Sequence, residues 1–368
     1  METYFISHRI DRHCEGGFAF VREARADGIG NLAFKYLRLP EQEGKGEWHR
    51  NFVIEGRFLF MFRDNPLVVR LHDFGFVPAE VVNKPYPGQV QVHSLYHGQE
   101  EDSEIWSNYA ARYPYPKYIP YLVVDKLPRD HCLFFITQQR QVGMRLPTLE
   151  VLDFGLRLVK FMQSLHQDNI YYRDWKPAHL YWDGQNPIII DWNVVRQCPK
   201  PERTYLQEDI RNFVGGILFA GFTGRDPKSG DIMPKPYQGE KEIDNRYKFS
   251  SKPTLSGMDY GLEDDLVDLL TRGVLLPEDG GYTDADTLLA DLQICAARRG
   301  ISEQDLGASL EQARDYQYQA FTELRSVNQS LVRAKQWLNQ AEILTPDIAM
   351  DVRRLIAAID TMSDHRVL

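Results

Sequence analysis

The stretch Tyr171-Tyr172-Arg173-Asp174-Trp175-Lys176-Pro177-Ala178-His179-Leu180, followed seven residues later by Ile188-Ile189-Ile190-Asp191-Trp192-Asn193, constrains this chain most. It sets two aspartates, a lysine and a histidine among large apolar side chains. Three isoleucines in a row read as a short buried strand ending on Asp191. The bland reading is a surface loop and a buried strand that happen to carry two aspartates. The residues found in order on both sides argue for more.

Those residues resemble the core of the eukaryotic-type protein kinase family, as a divergent member or a pseudokinase. In that family the catalytic loop reads His/Tyr-Arg-Asp-x-Lys-Pro-x-Asn-Leu, and the metal-binding turn reads hydrophobic-Asp-Phe-Gly. The chemistry agrees. Phosphoryl transfer needs a carboxylate near the attacking hydroxyl, a cation near the γ-phosphate and a second carboxylate on Mg²⁺. Asp174, Lys176 and Asp191 fit those roles. The resemblance implies an α+β, two-lobed fold: a β-rich first lobe at 1–126 with an insertion at 79–117, a mainly helical second lobe at 127–300, and a helical appendage at 301–368. At 368 residues the chain has room for all three.

In the first lobe, Cys14-Glu15-Gly16-Gly17-Phe18-Ala19-Phe20-Val21 sits where the family keeps a glycine-rich loop over the phosphates. Cys14 and Ala19 stand in for two of the three glycines, leaving Gly16, Gly17 and Val21 as nucleotide contacts. In Leu32-Ala33-Phe34-Lys35-Tyr36, strand alternation puts Ala33 and Lys35 on one face. The resemblance places Ala33 on the adenine and Lys35 on the α- and β-phosphates. Glu55, one helical turn before Leu59, is the carboxylate expected to hold Lys35; Glu47 is the competing candidate. Val124 would guard the back of the pocket, and the backbone of Asp125 and Leu127 would bond the adenine. Two literal Asp-Phe-Gly strings, at 73–75 and 153–155, are decoys, because neither follows the catalytic loop. The insertion carries Glu100-Glu101-Asp102 and Tyr113-Pro114-Tyr115-Pro116 and reads as a solvated loop, with its aromatic cluster as a candidate contact surface.

In the second lobe, Leu149, Leu152, Leu156 and Val159 recur at helical spacing. Asp209 is expected to anchor the catalytic loop backbone from a central buried helix. The segments from Asp264 and Thr283 read as the last two helices, with Thr283 as N-cap of the second. Four departures from the family bear on function. His179 replaces an asparagine metal ligand, and imidazole suits softer cations than Mg²⁺. Asn193 replaces a glycine, a mild change because Asn tolerates positive φ; Trp192 between them would stack with Tyr172, Leu59 and Leu71. Tyr181 stands where a leucine lies beneath adenine. Asp209 follows Asp191 by only eighteen positions, so the activation loop and peptide platform are missing. Pro201-Glu202 only superficially resembles the close of that segment.

From Leu306 to Ala341 a seven-residue rhythm marks an apolar helical seam. It packs within the chain, as one arm of a helical hairpin restarting at Thr345-Pro346, or forms a homodimer through 306–341. The net charge of −9 argues against a nucleic-acid partner. The apolar run Val214 to Phe222 is too short to span a bilayer, and the start resembles no signal peptide. Four scattered cysteines form no metal spacing and read as free thiols, so a cytoplasmic location is expected. Two functions are weighed. In one, ATP with Mg²⁺, or Mn²⁺ given His179, serves Lys35, Glu55, Asp174, Lys176 and Asp191 in phosphorylating a dedicated partner protein or a small molecule. In the other, a pseudokinase binds nucleotide as a docking module. The retained core favours the first; His179 and the short segment oppose it.

Overall fold

The structure, a computed structural model, describes residues 2–9, 19–26, 28–38, 45–82, 88–96, 117–138, 145–224 and 262–300, with scattered positions between 333 and 357. The chain divides into two compact units, Met1–Ser302 and Glu303–Leu368. Of the second, too little is described to test the seam at 306–341, which apart from 333–336, 338 and 339 lies outside the described residues, as do Gly16, Gly17, the acidic run and the Tyr/Pro run.

The first unit mixes strands and helices, with the strands concentrated at its N-terminal end. These are β1 (Glu2–Arg9), β2 (Ala19–Ala26), β3 (Ile29–Leu37), β4 (Leu71–Pro78), β5 (Gly88–Ser94) and β6 (Tyr118–Asp125). They close into an antiparallel barrel in the order β1-β2-β3-β6-β4-β5. Directly opposed residues of an antiparallel pair share a face. The register Val21↔Lys35, Ala33↔Val124 and Lys35↔Leu122 therefore puts these side chains on one face of β2, β3 and β6. The other face carries Tyr4, Phe34 and Tyr121, whose rings lie 4.8–6.4 Å apart.

Strand β5 corrects the reading of 79–117 as a solvated loop. A short helix α2 (Ala79–Val82) follows β4, and β5 then pairs with both β1 and β4. Val90 and Val92 turn inward, while Gln89 and Gln91 are exposed. One decoy string has its work here. The buried Asp73 carboxylate accepts from Tyr4 Oη (2.9 Å), Tyr121 Oη (2.6 Å), Ser94 Oγ (2.6 Å) and the Phe74 amide (2.9 Å). Those donors sit on β1, β6, β5 and β4, so one carboxylate ties four strands. Buried polar groups persist only when so satisfied. Gly75 is required by the same closure, because a Cβ there would overlap the His93 carbonyl oxygen.

Helix α1 (Lys45–Met61) follows β3. Phe52, Glu55 and Leu59, at helical spacing, are its buried face. After β6 come α3 (Leu133–Gln138) and the long α4 (Thr148–Gln167), which buries Leu152, Leu156 and Val159. The second decoy, Asp153, is paired in α4 with Arg157 one turn on, at 2.7 Å. Four two- or three-residue strands, β7 (Ile170–Tyr171), β8 (Leu180–Trp182), β9 (Pro187–Ile189) and β10 (Arg196–Gln197), then frame the loop between β7 and β8. β10 pairs β7. The chain next enters α5 (Arg203–Asn212), a π-helical stretch Phe213–Leu218 and α6 (Phe219–Thr223), and closes with α7 (Asp264–Val274) and α8 (Ala285–Arg298). The N-cap of α8 is Asp284, not Thr283: Asp284 accepts from the Thr287 amide, while the Thr283 hydroxyl donates to Asp284. Aspartate sits one position closer to the first turn and brings charge to the positive end of the helix. No helix among the described residues is long and apolar enough to cross a membrane.

Gly75→Ala tests the closure. Pressing a methyl group into the β4–β5 contact should cost about 1–3 kcal/mol, read as a lower urea midpoint with an unchanged slope. An unchanged midpoint would show that β5 is not seated on β4.

Candidate active site at the barrel and loop junction

Three elements bring charge to one point. Lys35, on β3, donates to Glu55 Oε1 of α1 at 2.7 Å and to Asp191 Oδ1, just beyond β9, at 2.8 Å. All three side chains are largely buried. Burial opposes the Lys35 charge, but Asp191 and Glu55 outweigh it and its pKa is raised. One ammonium cannot fully compensate two carboxylates. Burial also raises Asp191, but Lys35 and then His179 hold it well below the ordinary carboxylate range. Glu55 takes the opposite course: burial, assisted by the charge of Asp191, outweighs Lys35 and pushes it up to about 7. Among the described residues, its buried Oε2 has no hydrogen-bond partner.

The loop after β7 is held by a second buried carboxylate. Asp209 of α5 is fully buried. It accepts from the amides of Tyr172 (3.1 Å) and Arg173 (2.6 Å) and from the Trp175 indole (2.7 Å), and it pairs with His166 Nε2 (3.0 Å). Arg173 takes a left-handed φ of 69°. That strain is held in place from several sides: its guanidinium reaches Glu208 (2.9 Å) and lies over the Tyr205 ring, and its carbonyl accepts from Asn212 (2.8 Å). A Cβ on Gly216 would lie 2.5 Å from the Trp175 carbonyl oxygen, so glycine lets the π-helical stretch press directly on the loop. The outcome is a fixed Asp174, with Lys176 at 3.0 Å from its carboxylate. Sequence reasoning named Asp209 but missed Trp175, His166 and Asn212. The indole between Asp174 and Lys176 was the available signal, since a buried tryptophan usually finds an acceptor.

His179 lies between the two aspartates. Its Nε2 is 3.1 Å from Asp191 Oδ2, and its Nδ1 is 3.4 Å from Asp174 Oδ2. Donor atoms of Asp174, His179 and Asp191 all fall within 4.8 Å of one another. Two carboxylates and one imidazole are a donor set that fits a divalent cation with affinity for nitrogen. Asn193 does not occupy the left-handed position expected of it. Asp191 itself does, at φ 64°, and Asn193 instead donates its side-chain amide to Asp191 Oδ1. Trp192 packs on Tyr172 as expected (5.0 Å between centroids), and its other ring neighbours are Phe58, Phe62 and Phe161.

Behind these groups lies a cavity of about 280 Å³. Val21, Ala33, Lys35, Glu55, Val124, Asp125, Leu127, Lys176, His179, Tyr181 and Asp191 all line it. So do Cys132, Phe134 and Phe135, which sequence reasoning passed over. Tyr181, Cys132 and Phe135 form one apolar cluster under the cavity, with Leu127 and Ile190 packed against it. A cavity lined by apolar and aromatic side chains with a few polar groups is the environment that suits an aromatic ring.

Two measurements follow. Trp175→Phe keeps an aromatic ring, though a smaller one, and removes the indole donor to a buried charge. It should cost about 1.5–3 kcal/mol by denaturant unfolding; an unchanged midpoint would mean the indole does not hold Asp209. Glu55 gives a pH signature. Its folded pKa of about 7 exceeds the ordinary 4.5, so the folded chain binds its proton more tightly. That contribution is complete below about pH 4.5 and is lost as pH rises through about 7. Glu55→Gln should remove that part of the stability slope in the unliganded protein; an identical profile would refute the shift.

No family model matches the chain, and no curated protein matches it. Among solved structures the chain is similar to the Cydia pomonella Granulovirus kinase, PK-1, with 14% identity and a TM-score of 0.48, over 78% of this chain and 92% of that one.

Proposed function

We propose that the chain is a two-lobed, protein-kinase-like phosphotransferase that moves the γ-phosphate of ATP to a hydroxyl of a dedicated partner. One observation carries the reading: Lys35 joins Glu55 and Asp191 at the mouth of an apolar cavity, and Asp174 and Lys176 stand beside them on a clamped loop. Adenine would lie between Ala33 and Tyr181, against the strand end at Asp125 and Leu127. Lys35 would hold the α- and β-phosphates, Lys176 would steady the γ-phosphate, and Asp174 would orient the substrate hydroxyl and accept its proton. A divalent cation on Asp191 and His179 would neutralise phosphate charge when bound. Positioning supplies most of the rate in this chemistry, and the clamp on Asp209 supplies positioning.

The short segment after Asp191 supports a dedicated substrate. β10 pairs β7 immediately, and Glu202 then caps α5 by accepting from the Thr204 amide. Among the described residues, that path leaves no platform between Asp191 and Asp209 along which a generic peptide could lie. A nucleotide-binding pseudokinase is the second reading. It is favoured by the closed ion network, in which Asp191 is already bonded to Lys35, Asn193 and His179.

ATP with Mg²⁺ or Mn²⁺ should raise the melting temperature of the wild type but not of Asp191→Ala, since a ligand at one hundred times its Kd adds about 2.7 kcal/mol. No shift at millimolar ATP would sink both readings. Turnover that is lost in Asp174→Asn separates the enzyme from the pseudokinase. Robust, Asp174-dependent labelling of casein or myelin basic protein would overturn the dedicated-substrate reading.

A further inference from the structure

We infer that β10, the residues that follow it into α5, and Arg57 of α1 form a basic docking surface for an acidic stretch of the partner polypeptide; the inference rests on the phosphotransferase reading for the purpose of the surface and names the substrate class within it.

The sign of the charge is the first observation. The whole chain carries 52 Asp and Glu against 43 Lys and Arg. Residues 194–207 reverse that balance: Arg196, Lys200 and Arg203 are opposed by Glu202 alone. Glu202 is committed elsewhere, since its side chain accepts from the Thr204 amide at 3.3 Å. The next acid, Glu208, is taken by Arg173 at 2.9 Å. Arg57, Lys200 and Arg203 are exposed and Arg196 is part-buried. Among the described residues, no carboxylate pairs with any of these four. Comparable cations elsewhere in the unit do have one: Lys126 has Glu23, Arg157 has Asp153 and Arg272 has Asp291.

The second observation is where they gather. Arg196 lies directly opposite Tyr171 in the β7–β10 pair. The Tyr171 hydroxyl accepts from the Glu202 amide at 2.8 Å, which brings the Lys200 and Arg203 backbone to the same tyrosine. Arg57 donates to the Gln197 side chain at 3.3 Å, so a fourth cation reaches β10 from α1. Tyr171 stands three residues before Asp174, and its ring lies 5.9 Å from that of Tyr205, on which the Arg173 guanidinium rests. The unpaired cations are thus held at the foot of the loop that presents Asp174. Single solvated cations are ordinary on a surface. Several of one sign, gathered without an acid of their own, attract an anionic ligand and speed its arrival. Guanidinium groups suit carboxylates in particular, because their paired donors match the two oxygens. Recognition of this kind uses side chains and needs no strand of backbone to lie along, which fits the shortness of the path from Asp191 to Asp209. A long nucleic acid suits the surface less well, because beyond it the strand would meet a chain of net charge −9.

The test is fluorescence anisotropy of the full chain with a labelled Glu-rich peptide, without nucleotide. The peptide should bind, bind less as salt is added, and lose binding when its Glu are replaced by Gln. Lys200→Gln and Arg203→Gln should each weaken binding about two- to fivefold. Lys200→Glu combined with Arg203→Glu should exchange the preference for a Lys-rich peptide, an outcome that a damaged fold would not give; the single exposed variants decide if the double one fails to fold. Equal binding of the Gln peptide, or affinities unchanged in all of these variants, overturns the inference. So does single-stranded DNA that binds at least as tightly as the Glu-rich peptide. Peptide binding that appears only after Glu100, Glu101 and Asp102 are changed to glutamine or asparagine would assign the surface to the chain's own acidic run and overturn a partner. Stabilisation by ATP without binding of the acidic peptide would leave the phosphotransferase reading standing and this inference refuted. Binding of the peptide through these residues without stabilisation by ATP would do the reverse.

Discussion

A single ammonium shared by two buried carboxylates determines how this chain is arranged. Lys35 comes from the barrel, Glu55 from the helix packed beside it, and Asp191 from the strand end 156 residues later. The first two elements are consecutive and the third lies far along the chain, and none could bury its charge alone, since an unpaired ion away from water costs several kcal/mol. The apolar packing around them, Leu59 from α1 and Trp192 beyond Asp191, is what makes the burial deep enough to matter.

The loop carrying Asp174 is solved by a different principle. Asp209 is more deeply buried than Asp191, yet no lysine or arginine bonds to it among the described residues; its charge is spread over two amides, an indole and an imidazole. Such donors are rigid, and several of them hold a loop in one conformation where a long flexible cation would not. Lys35, in contrast, has a side chain able to follow a ligand. The two carboxylates thus divide the labour: one fixes backbone, the other leaves a cation positioned at the cavity.

Much of this was legible in the sequence because the informative residues are local in pattern though distant in space. Lys35 on an alternating strand, Glu55 one turn before Leu59, and the order Asp174, Lys176, Asp191, Asp209 could each be read without a structure, and the structure brings them together. What could not be read depends on partners that only the fold supplies. Gln89-Val90-Gln91-Val92 alternates as a strand should, but four residues inside a polar segment are too short a signal to outweigh a loop. Which residue beyond Ile190 takes the left-handed turn depends on hydrogen bonding, and Asp191 takes it while Asn193 serves as donor. Thr283 and Asp284 are both good caps by composition, and only the backbone angle of the entering chain chooses between them. Most of the seam at 306–341 and the glycines at 16 and 17 lie outside the described residues.

Closure of the barrel limits how another macromolecule can engage this part of the chain. An open sheet offers a row of unsatisfied amides and carbonyls to which a peptide can add as an extra strand. With β5 bonded to β1 over Gly88–Val92 and to β4 at His93 and Ser94, the six described strands close on themselves and leave little such row. Recognition at the barrel therefore falls mainly to side chains, so its specificity is set residue by residue and is open to change by single substitutions, with little backbone template to supply affinity in common to every extended sequence.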